Sequence, residues 1–382
     1  MNWKTLFYIG AAGLALFEVA NVYFIMPMPG SQRMGSLDAA YFLHGWRWVF
    51  RAIFGATMAA GFLSAFRAKR WLALLVLVAV GAVIFNFNFK MAAEKMFYQP
   101  TVLRMAGATE NKVGLDKLVL GIELNGQAKA YPIQYIGYHH QVRDTVGGEP
   151  VMVTYCTVCR TGRVYAPKVN GEPEDFRLVG MDHFNAMFED ATTKSWWRQV
   201  TGEAVAGPLK GTQLPEIHAT QTSLGEWFVL HPNSLVMQAD STFSEDYANL
   251  DTYDFGVERG KLTRTDTLSW QEKSWVVGIE SGKASKAFDW NRLKQERVIN
   301  DQVGEQPVVI ALADDDKSFF AFERPDATAI FSLKNDTLFN GEKSWNLLGK
   351  AYDPANRDLK KITAYQEFWH SWMTFHPYTT RY

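Results

Sequence analysis

Val119-Leu120-Gly121-Ile122-Glu123 and Val276-Val277-Gly278-Ile279-Glu280 are one short motif written twice, 157 positions apart. Lys129-Ala130-Tyr131 returns as Lys286-Ala287-Phe288, Asp144-Thr145-Val146-Gly147 as Asp301-Gln302-Val303-Gly304, and Pro150-Val151 as Pro307-Val308, all at that offset. Across 119–154 against 276–311, 11 of 36 positions are identical without a gap. Self-similarity at a fixed spacing is the mark of a repeated structural unit. The echo continues later, where Trp227 and His231-Pro232 recur as Trp372 and His376-Pro377.

Each copy opens with an alternating strand, Gly121 to Tyr131 in the first. A polar turn at Gly147-Gly148 and a β-prone run from Pro150 to Tyr155 follow. Helical patterns are few: one around Leu224 to Leu230 and a counterpart around Tyr365 to Thr374. The expected class is a β-rich α+β soluble portion made of two tandem repeats of one module. The first module is placed at 93–238, the second at 272–382, and an acidic, turn-rich connection at 239–271.

Ahead of the repeats the chain is strongly apolar. Leu6 to Met26, Val49 to Phe66 and Trp71 to Phe89 are each long enough to cross a bilayer, which takes about 20 residues. About three transmembrane α-helices are therefore expected within an anchor at 1–92. Arg67, Lys69 and Arg70 form a basic turn between the second and third runs, which places that turn in the cytoplasm. The rest of the chain is then extracytoplasmic, on the periplasmic side of an inner or cell membrane. Glu18 is costly in lipid and is expected to pair with Arg51 across the bundle. Gly55, Ala59, Ala60 and Gly61 are small enough to let helices approach closely.

A duplication carries its own control: what both copies share is architectural, and what one copy alone carries is a candidate for chemistry. Asp144 with Gly147, and the two His-Pro pairs, belong to the shared set. Only the first copy has Tyr155-Cys156-Thr157-Val158-Cys159-Arg160, opposite Leu312-Ala313-Asp314-Asp315-Asp316-Lys317. It alone has His139-His140, opposite Glu296-Arg297, and beyond the cysteines it has Met181-Asp182-His183. The second copy thus reads as a chemically emptied partner.

Cys156 and Cys159 are the only cysteines, so a disulfide-stapled scaffold is excluded. Strand patterns on both sides place the pair at the tip of a β-hairpin, where two thiolates can face one metal. Completing a site needs further ligands, and His139, His140, Met181 and His183 are the candidates. Thiolate with imidazole suits one zinc or copper ion, and thioether favours Cu(I). Two other readings stand beside this one. The pair is a redox dithiol with Arg160 and Arg163 depressing a thiol pKa, or it is a structural element of a non-catalytic binding module. Thr193 to Pro208, dense in Trp and Gly, is expected to be a packed hairpin in which Gln199 and Glu203 are candidates to line a pocket.

Lys129-Ala130-Tyr131-Pro132, His139, Asp144, Gly147-Gly148 and Val153-Thr154-Tyr155-Cys156-x-x-Cys159 together resemble a bacterial and archaeal family of uncharacterised proteins, domain of unknown function 3179. Ser195-Trp196-x-x-Gln199, Gly202-Glu203-Ala204 and Gly207-Pro208 resemble its second motif block. The resemblance covers roughly 115–382 and implies membrane-attached or exported proteins. That family usually has Pro-Leu-Cys and then Gly, where this chain has Thr157-Val158-Cys159-Arg160.

The resulting expectation is a membrane-anchored extracytoplasmic protein that holds a metal ion or small ligand. Its net charge of −1 argues against a nucleic-acid partner. No glycine-rich phosphate loop or GxGxxG is apparent, so no nucleotide cofactor is expected.

Overall fold

The apolar runs form helices Trp3–Tyr23, Arg47–Ala68 and Arg70–Phe85, the last continued by a π turn over Asn86–Lys90. These come from a computed structural model, which describes residues 2–382. Counting the third through Lys90, all three helices are long and apolar enough to cross a membrane. Ile53, Leu63, Leu75 and Val78 on the second and third point outward. Inside the bundle, Arg51 Nε and Nη2 donate to the two Glu18 oxygens at 2.7 and 2.8 Å, and Asn88 Nδ2 donates to Oε2 at 2.8 Å. Glu18 is buried, and pairing is what makes a buried carboxylate tolerable. Asn88 is the member that spacing did not reveal.

The small residues act differently from expectation. Gly61 lies against Phe7, where an added Cβ would stand 2.2 Å from its backbone nitrogen, and Gly10 lies equally close to Met58. Gly55 has open space around it, and Ala59 and Ala60 face outward. Gly13 meets the Phe54 ring in the same way, so the seam is set by two glycines of the first helix and Gly61 of the second and not by a stripe on the second.

Two compact units divide the chain. One comprises Met1–Tyr98, Glu174–Arg198 and Glu203–Gln213; the other comprises Gln99–Pro173, Gln199–Gly202 and Leu214–Tyr382. In the first, strands Phe176–Asp182, Asn185–Asp190, Trp196–Arg198 and Ala204–Ala206 form an antiparallel sheet. Val179, Met187, Trp196 and Val205 pack with Ile25 from the end of the first helix and with Ala40 from helix Leu37–Gly45, an element that the sequence did not announce. The Met181 amide donates to the Ile25 carbonyl at 2.8 Å.

In the second unit, strands Leu118–Leu124 and Gln127–Pro132, helix Ile133–His139 and strand Gln141–Val146 run in sequence. Trp275–Ser281, Ala284–Asp289, Trp290–Glu296 and Val298–Val303 repeat the same elements 157 positions on. The stretch expected as one strand from Gly121 to Tyr131 is in fact a hairpin. Asn125 and Gly126, both at positive φ, turn it, as Asn-Gly pairs do. The later helix is also shorter than expected: Ala364–Phe368 is a strand against Trp275–Ser281, and the helix is Trp369–Phe375. Its partner Leu224–Leu230 lies where the pattern placed it. Trp227 packs on Gly121 and Trp372 on Gly278, so closely that a Cβ on either glycine would stand about 2 Å from the indole.

Candidate functional site

Strand Glu149–Cys156 is flanked by Gln141–Val146 on one side and Thr161–Tyr165 on the other, in a three-stranded antiparallel sheet. Its β-branched and aromatic residues suit a surface buried on both faces. Cys156 pairs with Thr161 at the last rung, so Thr157 to Arg160 make the tip. The cysteines lie at a hairpin end, as the sequence implied, with both thiols buried and no disulfide between them. Gln199 fastens the hairpin from behind, its amide donating to Thr154 Oγ1 at 3.0 Å and to the Thr161 carbonyl at 3.2 Å. Gln199 is thus a brace of the hairpin, while Glu203 belongs to the other unit and faces Arg198.

Three of the four carbonyls of the tip, those of Thr157, Val158 and Cys159, are held by residues from the connection or the second half of the chain. Tyr253 Oη donates to the Thr157 carbonyl at 2.8 Å, and Lys273 Nζ donates to that of Val158 at 3.0 Å. His370 Nε2 lies 3.1 Å from the same Val158 oxygen, and the Phe368 amide donates to the Cys159 carbonyl at 2.8 Å. Arg160, at φ 55°, occupies the left-handed region in which glycine is free of strain. That explains glycine after the pair in the resembled pattern. Here the guanidinium offsets the strain: it donates to Gln366 Oε1 and to the Tyr253 and Asp254 carbonyls, and it lies 3.6 Å from the Trp275 ring centre.

The two cysteine side chains interact electrostatically. Burial, then the Cys156 side chain, pushes the Cys159 thiol up, with Ser371 hydrogen-bonding against the shift and Glu367 adding to it. Burial lowers Lys273, while Cys159 and Cys156 oppose that effect, so the ammonium is the cation beside both sulfurs. Burial and Lys273 also lower His370, to about 4, which keeps it neutral. Arg163, expected to act on a thiol, instead pairs with Glu367 and stacks on Tyr365.

The remaining proposed ligands lie as follows. His139 ends helix Ile133–His139, with Nε2 2.6 Å from Tyr247 Oη and its ring edge-on to Phe243. His140 is buried in the left-handed region, and burial lowers it to about 4. Met181 and His183 fall in the other compact unit, where His183 Nδ1 is 2.7 Å from Asp182 Oδ1. Among the described residues, no group of three or more His, Cys, Asp or Glu side chains converges as a metal site. The groups that do surround the pair, Lys273, Glu367, His370 and Ser371, lie in the second half of the chain, far from the cysteines in sequence. Aligning Trp372 with Trp227 signals them: Glu367, His370 and Ser371 stand where the earlier stretch has Thr222, Gly225 and Glu226.

The family described as "Protein of unknown function (DUF3179)" matches residues 98–379. The chain belongs to this family. The match takes in the cysteine hairpin, the connection and the residues that clamp the tip. No curated protein and no solved structure matches the chain.

The corresponding tip of the second half is polar, and it meets the Glu226 end of helix Leu224–Leu230 as the cysteine tip meets Ser371. Burial, with Asp336, Asp315 and Asp314 nearby, pushes Glu226 up to about 7. A carboxyl raised above its unfolded value of about 4.3 favours folding below that pH. That contribution is lost as pH rises through 7. Glu226→Gln is therefore expected to flatten the decline in thermal stability between about pH 4.5 and 7, an effect held to about 1 kcal/mol by screening at this half-buried position. Parallel melting curves for the two proteins across that range would overturn the assignment.

Proposed function

We propose that this DUF3179 protein is membrane-anchored, with a duplicated extracytoplasmic module, and that Cys156 and Cys159 bind one soft monovalent cation, Cu(I). The single observation that carries the reading is the interaction between two buried thiols at one clamped turn, with Lys273 beside both. Two thiolates satisfy a linear cation but supply only half of a tetrahedral zinc shell. Binding releases two protons, and the bis-thiolate complex carries one negative charge, which Lys273 balances. The matching element order at 157 positions supports duplication. The basic turn at Arg67, Lys69 and Arg70 supports the orientation.

The same interaction also favours a second reading. A partner disulfide would oxidise the pair by exchange, forming the Cys156–Cys159 bond while its own two sulfurs leave as thiols. The raised Cys159 thiol opposes both readings alike, because thiolate is the nucleophile in exchange and the ligand in the copper complex.

The test uses the reduced full-length protein in detergent, titrated with Cu(I) against a chromophoric chelator, with thiols counted before and after. One equivalent bound, two thiols protected and complete loss in Cys156→Ser support the copper site. Reversible loss of two thiols with a partner disulfide, without copper uptake, replaces it with the dithiol reading. Neither response leaves the pair as a packing element and overturns both.

A further inference from the structure

A cavity of about 480 Å³ lies wholly within the helical unit, where the three long helices end and the four-stranded sheet begins. Its walls are of two kinds. Val22, Ile25, Met26 and Phe87 supply an apolar side, and Asn21, His44, Arg47, Arg51, Arg177 and Glu189 supply a polar one. Most of the charges are already matched. Arg51 is tied to Glu18, and Arg177 bridges Glu94 at 2.7 Å and Glu189 at 2.7 Å. Two cations are not matched in this way: Arg47 Nη1 donates to the His44 carbonyl at 2.6 Å, and Lys194 Nζ to that of Ala191 at 2.7 Å. Four cations therefore face three carboxylates.

Two buried polar atoms on the wall also lack a hydrogen-bond partner, Asn21 Oδ1 and His44 Nδ1. Asn21 is only 6% exposed, and a buried unpaired amide costs about 1–3 kcal/mol unless something meets it. His44 is neutral: burial first, then Arg47, Arg177 and Arg51, lowers it to about 3. Nε2 lies 3.5 Å from Arg177 Nη2 and 3.6 Å from Glu189 Oε2, and Nδ1 meets no partner; the tautomer that receives an Arg177 N–H at Nε2 presents its proton at Nδ1. A donor pair from Arg47 and His44 beside an apolar wall suits an anion attached to a hydrocarbon body. Trp46 and Trp48, both outward-facing at the start of the second span, mark the level of a bilayer interface.

We infer that this cavity is a binding site for a phosphate-ester head group, with Arg47 and His44 donating to the phosphate and the apolar wall accepting the attached chain. The source of the phosphate is a lipid of the surrounding leaflet or a soluble phosphate. The lipid source rests on the three helices being spans. That reading fails separately, if the chain fractionates as a soluble protein without detergent.

The test measures binding of short-chain phosphatidylglycerol, phosphatidylcholine and inorganic phosphate to the full-length protein in a non-ionic detergent, by native mass spectrometry and melting shift. Phosphatidylglycerol is expected to bind at one site, more tightly than phosphatidylcholine. Arg47→Gln is expected to weaken it roughly tenfold, as loss of a charge-assisted hydrogen bond does. Lys210→Gln, an exposed cation paired with Asp38, serves as the control and is expected to leave binding unchanged. Inorganic phosphate that occupies the site and displaces the lipid assigns the soluble source. If Arg47→Gln melts differently without lipid, Asn21→Leu replaces it as the variant. Equal binding by wild type and these variants, or no binding of any probe, overturns the site.

Discussion

Replacing Glu367 by alanine is expected to destabilise the protein by about 3–5 kcal/mol, the range for a buried ion pair that loses one member. Glu367 is fully buried and receives Arg163 Nη2 and the Thr161 hydroxyl, the latter at 2.8 Å. Arg163 is equally buried, stacked 3.3 Å from the Tyr365 ring centre, with Nε donating to the Val200 carbonyl at 3.1 Å. Removing the carboxylate leaves a buried guanidinium whose next carboxylate, Glu216 Oε1, stands 3.9 Å from Nε. Much of the loss is therefore the stranded charge and not the worth of the contact. The double change Arg163→Met with Glu367→Leu is expected to recover most of it, because buried pairs replaced by apolar groups of similar size often cost little. Chemical denaturation followed by tryptophan fluorescence reads both. A single-variant loss below about 1 kcal/mol, or a double variant no better than the single one, would sink this account of how the halves are joined.

That pair also explains what a reader of the sequence can and cannot see. The hairpin tip at Cys156 and Cys159, the helix at Leu224–Leu230 and the tie between Glu18 and Arg51 are legible because each rests on local pattern or on a short list of charges. The Asn125-Gly126 turn was legible too, by the same chemistry, but the alternation running through it made one strand look sufficient. Helix Ile133–His139 was not legible: Ile133, Tyr135, Ile136 and Tyr138 are apolar on every face, because the helix is buried all round. A helix hydrophobic on every side has no stripe to read. The clamp on the cysteine tip lies furthest from view. Thr161 meets Glu367 across 206 positions, and His370 meets Val158 across 212. Spacing cannot report such contacts; only a comparison of the two similar stretches position by position points to them.

The two tryptophans that sit on glycines allow a sharper test, because the same substitution can be made in each half. Trp227 donates from Nε1 to Ser234 Oγ at 2.7 Å and Trp372 to Thr379 Oγ1 at 2.8 Å; each ring also lies over the following histidine, His231 or His376. Alanine at either position removes a fully packed indole and is expected to cost about 3–5 kcal/mol. The consequences for Cys156 and Cys159 should differ. Helix Trp369–Phe375 carries His370 and Ser371, which meet the cysteine tip. Helix Leu224–Leu230 follows Ser223, whose amide meets Ser318 at the polar tip of the other half. Buried thiols react through local opening, and opening is governed by the stability of what covers them. Trp372→Ala is therefore expected to speed alkylation of the two cysteines more than tenfold under native conditions, while Trp227→Ala at matched stability leaves the rate within about twofold of wild type. Equal acceleration in both would mean that the thiols open only with the whole unit, and the second half would lose its role as the cover of the site.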